Sequence, residues 1–364
     1  MTILFVGGGT LGPVTPLMAV LRRMKKLQPE LLFAWAGTPD GPERELIERE
    51  GVSFYPIPVA KFARQFSWSW FSWPSNFMRA RRVVRELLDK VQPSLVVGLG
   101  GFTQVPVMQQ AAKRGIKCAI HQLDKEPTLS NRLVASLCSS VTAAFEYETS
   151  PFGQVKTERV ATPTRVVGSV VPDKEAGAER FFLHSHQPIV FVFGGGTGAQ
   201  ALNEAVWAMQ PKLSSTVQII HMTGKGKSHL AQSKEGYIVK EFLDEKDMLF
   251  AFTAADVIVC RAGMGTLSDL AALSKTAILV PIPDTHQEKN VDAVKAGVTL
   301  VEQHIGFAET LRLTIEELLP QTKHREELGK KLHELLPTDD GSALAERWLR
   351  LLKTTLPRQK DLPG

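Results

Sequence analysis

Three glycine turns carry the first chemical signal in this chain. Gly7, Gly9 and Gly12 follow the apolar run 2–6 and fit G-x-G-x-x-G. Gly194, Gly196 and Ala199 follow the run 188–193 and fit the G-x-G-x-x-A variant. Gly98-Leu99-Gly100-Gly101-Phe102 follows a third run, 95–98. At a helix N-terminus, unpaired N–H groups and the positive end of the dipole favour phosphate. Glycine lets the backbone come close to it. One such loop reads simply as a tight strand-to-helix turn; three in one chain read as phosphate contacts.

Two phosphate chemistries are weighed and set aside. A nicotinamide dehydrogenase wants an acid about 20 residues beyond the motif; here Asp40 falls late, and the second glycine loop is unexplained. Gly224-Lys225-Gly226-Lys227-Ser228 hints at a P-loop, but that motif needs glycine where His221 stands.

Proton-transfer candidates come from His121-Gln122-Leu123-Asp124. Open α/β sheets bind ligands beyond the carboxyl ends of their strands, and this stretch ends the strand candidate 117–121. Histidine titrates near neutrality; a carboxylate serves as base when raised in pKa or closely aligned. His121 also reads as a strand-end histidine satisfied by the backbone. Asp124 heads the polar loop Asp124-Lys125-Glu126, with Glu126 a second acid. Asp269 is placed in the first turn of a helix, where the dipole favours acids, and Arg261 is read as a surface residue or a phosphate partner.

The elements that position these residues alternate. Strand candidates are 2–6, 31–36, 95–98, 117–121 and 141–145, then 188–193, 217–221, 237–240, 256–260 and 277–281. Helical spacing appears at 15–27, 77–90, 200–210, 264–274, 326–335 and 342–353. Such alternation predicts parallel sheets covered on both faces. The glycine loops recur 187 residues apart, which predicts two doubly wound domains. The boundary is expected within 162–188, a stretch without clear periodicity. Domains are expected at 1–165 and 166–340, with 341–364 a terminal helix packing back on the first.

The chain has 364 residues, with 43 Lys+Arg against 38 Asp+Glu, a net +5. At 43% hydrophobic and 22% charged it has the composition of a folded protein rather than a disordered one. No run is long enough to span a bilayer, and no secretory leader is expected. Cys118, Cys138 and Cys260 form neither a disulfide framework nor a metal motif, so reduced thiols and no metal are expected.

The small positive excess matters less than one cluster. Trp68, Trp70, Phe71 and Trp73 precede Arg79, Arg81, Arg82 and Arg85. Tryptophan prefers the headgroup region and arginine pairs with anionic lipid. The tryptophans are placed in a short loop with Pro74, touching an anionic membrane surface through Trp68, Trp70, Phe71, Trp73, Arg79 and Arg82. Core packing is the competing reading of the patch. Nucleic-acid binding is not expected, since the chain shows no matching module.

Together these motifs resemble the MurG family of glycosyltransferases. The resemblance rests on Gly8-Gly9-Thr10-Leu11-Gly12-Pro13, Gly100-Gly101-Phe102, His121 to Asp124, Gly194 to Asn203, Val259 to Ala271, and His286-Gln287-Glu288-Lys289-Asn290, in order over roughly 1–305. It implies a GT-B fold, two Rossmann-like α/β domains facing across a cleft. It implies inverting, metal-independent transfer of N-acetylglucosamine from UDP-N-acetylglucosamine to the muramic 4-hydroxyl of undecaprenyl-linked lipid I. The product is lipid II, made peripherally on the cytoplasmic face of the inner membrane, with no cofactor.

Carried over, the donor contacts are Thr10, Leu11, Gly12, Gly195, Gly196, Thr197, Gly198, Leu243, Asp269, His286, Gln287 and Asn290. Leu243 matches a backbone contact to uracil, Asp269 a ribose clamp, and Gln287 and Asn290 the sugar contacts. The acceptor contacts are Gly9, Thr10, Gly100, Gly101 and Phe102, and the base is Asp124 or His121. The sequence departs from the family at Pro13 (usually histidine), at Asp124 (an acid for an amide), at Gly196 (usually serine) and at Pro172, near which the usual arginine is missing. A transferase acting on another lipid, a UDP-sugar 2-epimerase and a non-catalytic UDP-sugar-binding subunit are the alternatives.

Overall fold

The computed structural model describes residues 1–9, 11–41, 43–58, 69–195, 198–228 and 232–353; at 11 and 69–78 it describes the backbone alone. The chain divides into two units. The first comprises Met1–Leu123, Pro127–Pro163 and Gly341–Gly364; the second comprises Thr164–Asp340 together with the short piece Asp124–Glu126.

The first unit is a seven-stranded parallel sheet. Its strands are β1 (Thr2–Val6), β2 (Leu32–Gly37), β3 (Ser53–Pro56), β4 (Leu95–Gly98), β5 (Lys117–Gln122), β6 (Ser140–Ala143) and β7 (Glu158–Arg159), in the order β3-β2-β1-β4-β5-β6-β7. The reversal beside β1 is that of a doubly wound sheet. Leu4 and Val6 on β1 face a core built with Ala80, Val84 and Leu88 of α3 (Ser69–Val91) and Val107 and Met108 of α4 (Gln104–Lys113). On the alternate positions, Phe5 stacks on Trp35 with ring centroids 5.8 Å apart. Strands buried on both faces read as the continuous apolar runs seen in the sequence.

α1 (Leu11–Leu27) begins four residues before the expected 15. Pro13 falls in its first turn, where the missing N–H has no intrahelical partner. α3 likewise extends the expected 77–90 back to Ser69. Trp70, Phe71 and Trp73 therefore lie on a helix and not in a loop, a correction to the sequence reading. Trp68 lies outside the described residues. α2 (Glu43–Arg49) and α5 (Leu129–Val134) complete the connections. α13 (Ser342–Lys353) belongs to this unit and packs on α1. Its Trp348 is fully buried.

The second unit is a six-stranded parallel sheet. β9 (Ile189–Phe193), β10 (Gln218–Met222), β11 (Tyr237–Lys240), β12 (Val257–Cys260), β13 (Ala277–Leu279) and β14 (Thr299–Leu300) run in the order β11-β10-β9-β12-β13-β14. Two-residue pieces, β8 (Thr162–Pro163) in the first unit and β15 (Thr338–Asp339) in the second, lie outside both sheets. One face packs on α7 (Gln200–Met209) and α11 (Phe307–Leu318) through Val190, Val192, Leu202, Val206, Leu311 and Ile315. On the other, Phe191, Phe193 and Phe252 form an aromatic cluster with centroids 4.7–5.8 Å apart. Phe252 lies on α8 (Glu245–Ala254), followed by α9 (Met264–Ala272), α10 (His286–Val294) and α12 (Thr322–Leu335).

The stretch 162–188 is not without structure. It holds α6 (Lys174–Arg180), capped by Asp173 Oδ1, which accepts from Ala176 N at 2.8 Å. Gly177 lets α6 approach α8 backbone to backbone: a Cβ there would meet Phe250 O and Ala254 N at 2.8 Å. Seven residues with a glycine contact give no amphipathic stripe to read.

Trp348→Ala removes a fully buried indole from the α13 face. It should lower the unfolding free energy by about 3–5 kcal/mol, measured by urea denaturation with circular dichroism.

Candidate active site

In the first unit, the glycine turn after β4 is shaped from behind by buried amides. Gly100 and Gly101 have φ of +121° and +95°, the left-handed region that favours glycine. Gly100 N donates to Gln104 Oε1 at 2.9 Å and Gly101 N to Ser130 Oγ at 3.2 Å. Gln104 Nε2 donates to Asn131 Oδ1, and Asn131 Nδ2 to Gln122 Oε1, each at 2.7 Å. The two glycine N–H groups expected to meet an acceptor pyrophosphate are thus already spent on side chains of their own unit. This corrects the sequence reading of Gly100 and Gly101. Phe102 beside them is half-buried.

The loop after β1 rests on a residue that sequence reasoning missed. Glu43 is fully buried, and its Oε1 accepts from Thr38 N at 2.7 Å and Thr38 Oγ1 at 2.5 Å. Its Oε2 has no hydrogen-bond partner among the described residues. A Cβ on Gly8 would run into this carboxylate. Gly9 has φ of +92° and Gly12 is exposed on α1. Thr10 and the side chain of Leu11 lie outside the described residues.

In the second unit, the loop after β9 leads into a helix with no side-chain cap. Ala199 is the N-cap of α7; its side chain offers no acceptor to the first turn, which also carries no acid. The first N–H groups of the helix therefore have no side-chain cap, at the end where the dipole is positive. Gly195 and Gly198 have φ of +90° and +70°. A Cβ on Gly198 would collide with Thr223 O. The same carbonyl accepts from Asn203 Nδ2 at 2.9 Å. Lys227 Nζ donates to Gly198 O at 3.4 Å, bringing a cation beside the loop. Gly196 and Thr197 lie outside the described residues.

Asn203 is one link of a buried relay. His221 Nε2 stands 3.1 Å from Asn203 Oδ1, and His221 Nδ1 stands 2.9 Å from the Tyr237 hydroxyl. Because Asn203 spends its amide nitrogen on Thr223, its oxygen faces the ring. His221 Nε2 must then donate, and Nδ1 accepts from Tyr237. Burial pushes the His221 pKa down to about 4, so this neutral form persists.

His121 is not at an exposed strand tip. It is the fifth residue of β5 and fully buried, with Nδ1 3.0 Å from Thr142 Oγ1 and Nε2 lacking a hydrogen-bond partner among the described residues. Burial lowers its pKa to about 3. This corrects its place in the base pair of candidates, because a ring sealed in the sheet does not meet an incoming hydroxyl. Asp124, three residues on, keeps 19% side-chain exposure.

Around Asp124 the second unit makes a cluster. Asn290 Nδ2 donates to Asp124 Oδ1 at 2.9 Å and to Ala262 O at 3.1 Å, and Asn290 Oδ1 accepts from Lys125 N at 2.9 Å. His286 Nε2 lies 3.7 Å from Asp124 Oδ1. His286 and Asn290 are four residues apart on α10 and so share a face. Thr285 caps α10 by accepting from Gln287 N at 3.3 Å, and Gln287 Oε1 accepts from Ile282 N at 3.2 Å. Asn290, expected as a sugar contact, has both amide hydrogens and its oxygen already engaged.

Two further expectations change. Asp269 is in the second turn of α9, not the first, and is buried. Its Oδ1 accepts from Thr164 Oγ1 and its Oδ2 from Arg165 Nε at 3.2 Å. Burial raises its pKa and Arg165 opposes the rise. Asp269 thus anchors Thr164 and Arg165 at the start of the unit, rather than offering a free carboxylate to a ribose. Arg261 is neither a surface group nor free for phosphate: it is buried and donates to Val280 O at 2.8 Å and Pro281 O at 3.2 Å. Leu243 is buried before α8, its N–H directed at the Met222 sulfur, 3.3 Å away. Among the described residues no three His, Cys, Asp or Glu side chains gather as a metal site.

On α3, Arg79, Arg82 and Arg85 are exposed. The side chains of Trp70, Phe71 and Trp73 lie outside the described residues. No helix among the described residues is long and apolar enough to cross a membrane.

The comparisons agree with this architecture. Residues 3–143 match the glycosyltransferase family 28 N-terminal domain and residues 189–338 its C-terminal domain. The chain belongs to glycosyltransferase family 28. A relative from Bifidobacterium adolescentis named UDP-N-acetylglucosamine–N-acetylmuramyl-(pentapeptide) pyrophosphoryl-undecaprenol N-acetylglucosamine transferase is 31% identical, over 96% of this chain and 97% of its own. A Listeria monocytogenes protein of the same name is 30% identical, over 97% of this chain and 100% of its own. The solved MurG of Acinetobacter baumannii shares the fold with a TM-score of 0.72 at 21% identity, over 96% of this chain and 99% of that one. A UDP-GlcNAc 2-epimerase from Neisseria meningitidis shares it with a TM-score of 0.64 at 13% identity, over 96% of this chain and 100% of that one. The family's two-domain α/β fold is therefore common to transferases and epimerases.

Both buried histidines remain neutral in the fold while an unfolded histidine takes a proton near pH 6.5. Stability should then fall as pH drops from 6.5 toward 4, by on the order of 3 kcal/mol for His221 alone. Urea unfolding at stepped pH should show this slope, reduced by about one proton in His221→Gln.

Proposed function

We propose that this family 28 glycosyltransferase moves N-acetylglucosamine from UDP-N-acetylglucosamine to the 4-hydroxyl of the N-acetylmuramyl sugar on an undecaprenyl pyrophosphate carrier. This is lipid I becoming lipid II in peptidoglycan synthesis. The observation that carries the reading is the uncapped N-terminus of α7 behind the Gly195–Gly198 loop, in a chain whose relatives at about 30% identity are named for this transfer.

The acceptor hydroxyl oxygen attacks C1 of the donor sugar. The bond from C1 to the β-phosphate oxygen breaks, its electron pair leaves with UDP, and the configuration inverts. Backbone N–H groups of the 194–199 loop and the first turn of α7 meet the charge that develops on the phosphates, which stabilises the departing group where it forms. Gln287 is the reader of the sugar hydroxyls and the Leu243 backbone of the base. Asp124 belongs to the proton-transfer machinery. Its loop leads the acid out of the strand end while His121 stays sealed within.

The acceptor carries a polyprenyl tail, so the enzyme works at a lipid surface. α3 supports this, with Trp70, Phe71 and Trp73 in its first turns and exposed Arg79, Arg82 and Arg85 beyond them. An aromatic and basic helix of this kind lies on an anionic membrane without spanning it. We place the protein there as a peripheral enzyme of the cytoplasmic face.

Wild-type protein should form product from UDP-N-acetylglucosamine and a soluble lipid I analogue, and Asp124→Ala should lower kcat by about 100-fold or more. Donor binding without product would instead favour a binding subunit, and turnover only with diacylglycerol another lipid acceptor. In liposome flotation, the Trp70→Ala/Trp73→Ala double variant should lose binding to anionic vesicles while keeping turnover on the soluble analogue.

A further inference from the structure

The cluster around Asp124 contains a second proton-handling group. Asp124 is a poor candidate to receive the proton directly. Its Oδ1 already accepts from Asn290 Nδ2 at 2.9 Å, and its side chain is only 19% exposed. His286, at the first position of α10, has its Nε2 3.7 Å from the same oxygen and is 43% exposed. Pro13 offers no proton acceptor in the first glycine loop, and His121 is buried.

Asn290 explains why the acid is so fixed. One amide hydrogen goes to Asp124 and the other to Ala262 O, while its oxygen takes the Lys125 N–H. The amide is fully spent, and two of its three bonds hold the 124–126 loop against α10, four residues along from His286. A carboxylate oxygen accepts and does not donate. When the pair closes to hydrogen-bond distance, the imidazole nitrogen facing the carboxylate carries the hydrogen and the lone pair is left on Nδ1. The separation of 3.7 Å exceeds a hydrogen bond, and contacts of this kind tighten when substrate is bound.

We propose that His286 is the general base of the transfer, with Asp124 and Asn290 as its positioning residues. The proposal rests on the transferase reading above. As the acceptor 4-hydroxyl oxygen bonds to C1 and the C1–O bond to the β-phosphate breaks, the hydroxyl proton passes to His286 Nδ1. The electron pair of the broken bond leaves on UDP, and Asp124 faces the positive charge gained by the ring. An acid held beside an imidazole fixes its tautomer and stabilises its protonated form, the pattern of acid–imidazole pairs in other hydrolytic and transfer enzymes.

The test is steady-state turnover with UDP-N-acetylglucosamine and a soluble lipid I analogue. His286→Ala should lower kcat by about 100-fold or more, the scale of a general base, with the donor KM and UDP affinity by calorimetry within about threefold of wild type. Added imidazole should restore part of the lost kcat. Asp124→Asn should lower kcat in the wild-type background and have little further effect in His286→Ala, because it acts through that ring. A His286→Ala protein that keeps its kcat and loses donor affinity would make His286 a sugar contact and overturn the proposal. So would losses that multiply in the double variant. Wild-type turnover is read separately and tests the transferase reading alone: a wild type without transfer sinks that reading, whereas an active wild type with an active His286→Ala sinks only this one.

Discussion

The close approach of backbone at Gly198 is the constraint on which the glycine loop of the second unit depends. The turn after β9 packs directly on the Thr223 carbonyl at the end of β10, with no room for a side chain between them. That carbonyl is held by Asn203, which is held by His221, which is held by Tyr237. A buried polar group left without a partner costs roughly 1–3 kcal/mol, so each member of this relay keeps the next in one orientation. A loop poor in side chains needs such support, because nothing but the path of the chain sets its shape.

The first unit solves a similar problem with amides. Gln104, Asn131 and Gln122 pass hydrogen bonds inward from Gly100, and Ser130 takes Gly101 N. The outcome differs. In the second unit the glycine loop leads into a helix without a side-chain cap, and Gly198 N donates to the Gly195 carbonyl at 3.0 Å. In the first, the glycine N–H groups are consumed by the scaffold. Two glycine turns are thus held differently, one by side chains and one by its own backbone.

Much of the fold was legible from the chain. Continuous apolar runs such as Ile3 to Val6 and Ile189 to Phe193 announce parallel strands, because a strand buried on both faces tolerates no polar alternation. Edge and end strands were not: β3, β7 and β14 are short and partly exposed, so burial leaves little mark on their sequence. α6 escaped notice because its packing runs through one glycine. The site was legible as a set of motifs more than as a set of roles. Asp124, His286, Gln287 and Asn290 stand out in the sequence as motif positions, but a spacing does not say which hydrogen-bonding atoms are already taken.

The sequence by itself determined the two doubly wound domains, the glycine loops and the resemblance to a glycosyltransferase family, since periodicity and turn chemistry are local properties of the chain. Tertiary structure decided what each polar residue does. It sealed His121 in the sheet, turned Asp269 and Arg261 inward, raised Glu43, Gln104 and Asn203 to supporting roles, and brought Asp124 beside Asn290 and His286 across more than 160 residues. Burial and hydrogen-bond satisfaction depend on neighbours distant in sequence, and only the folded chain supplies them.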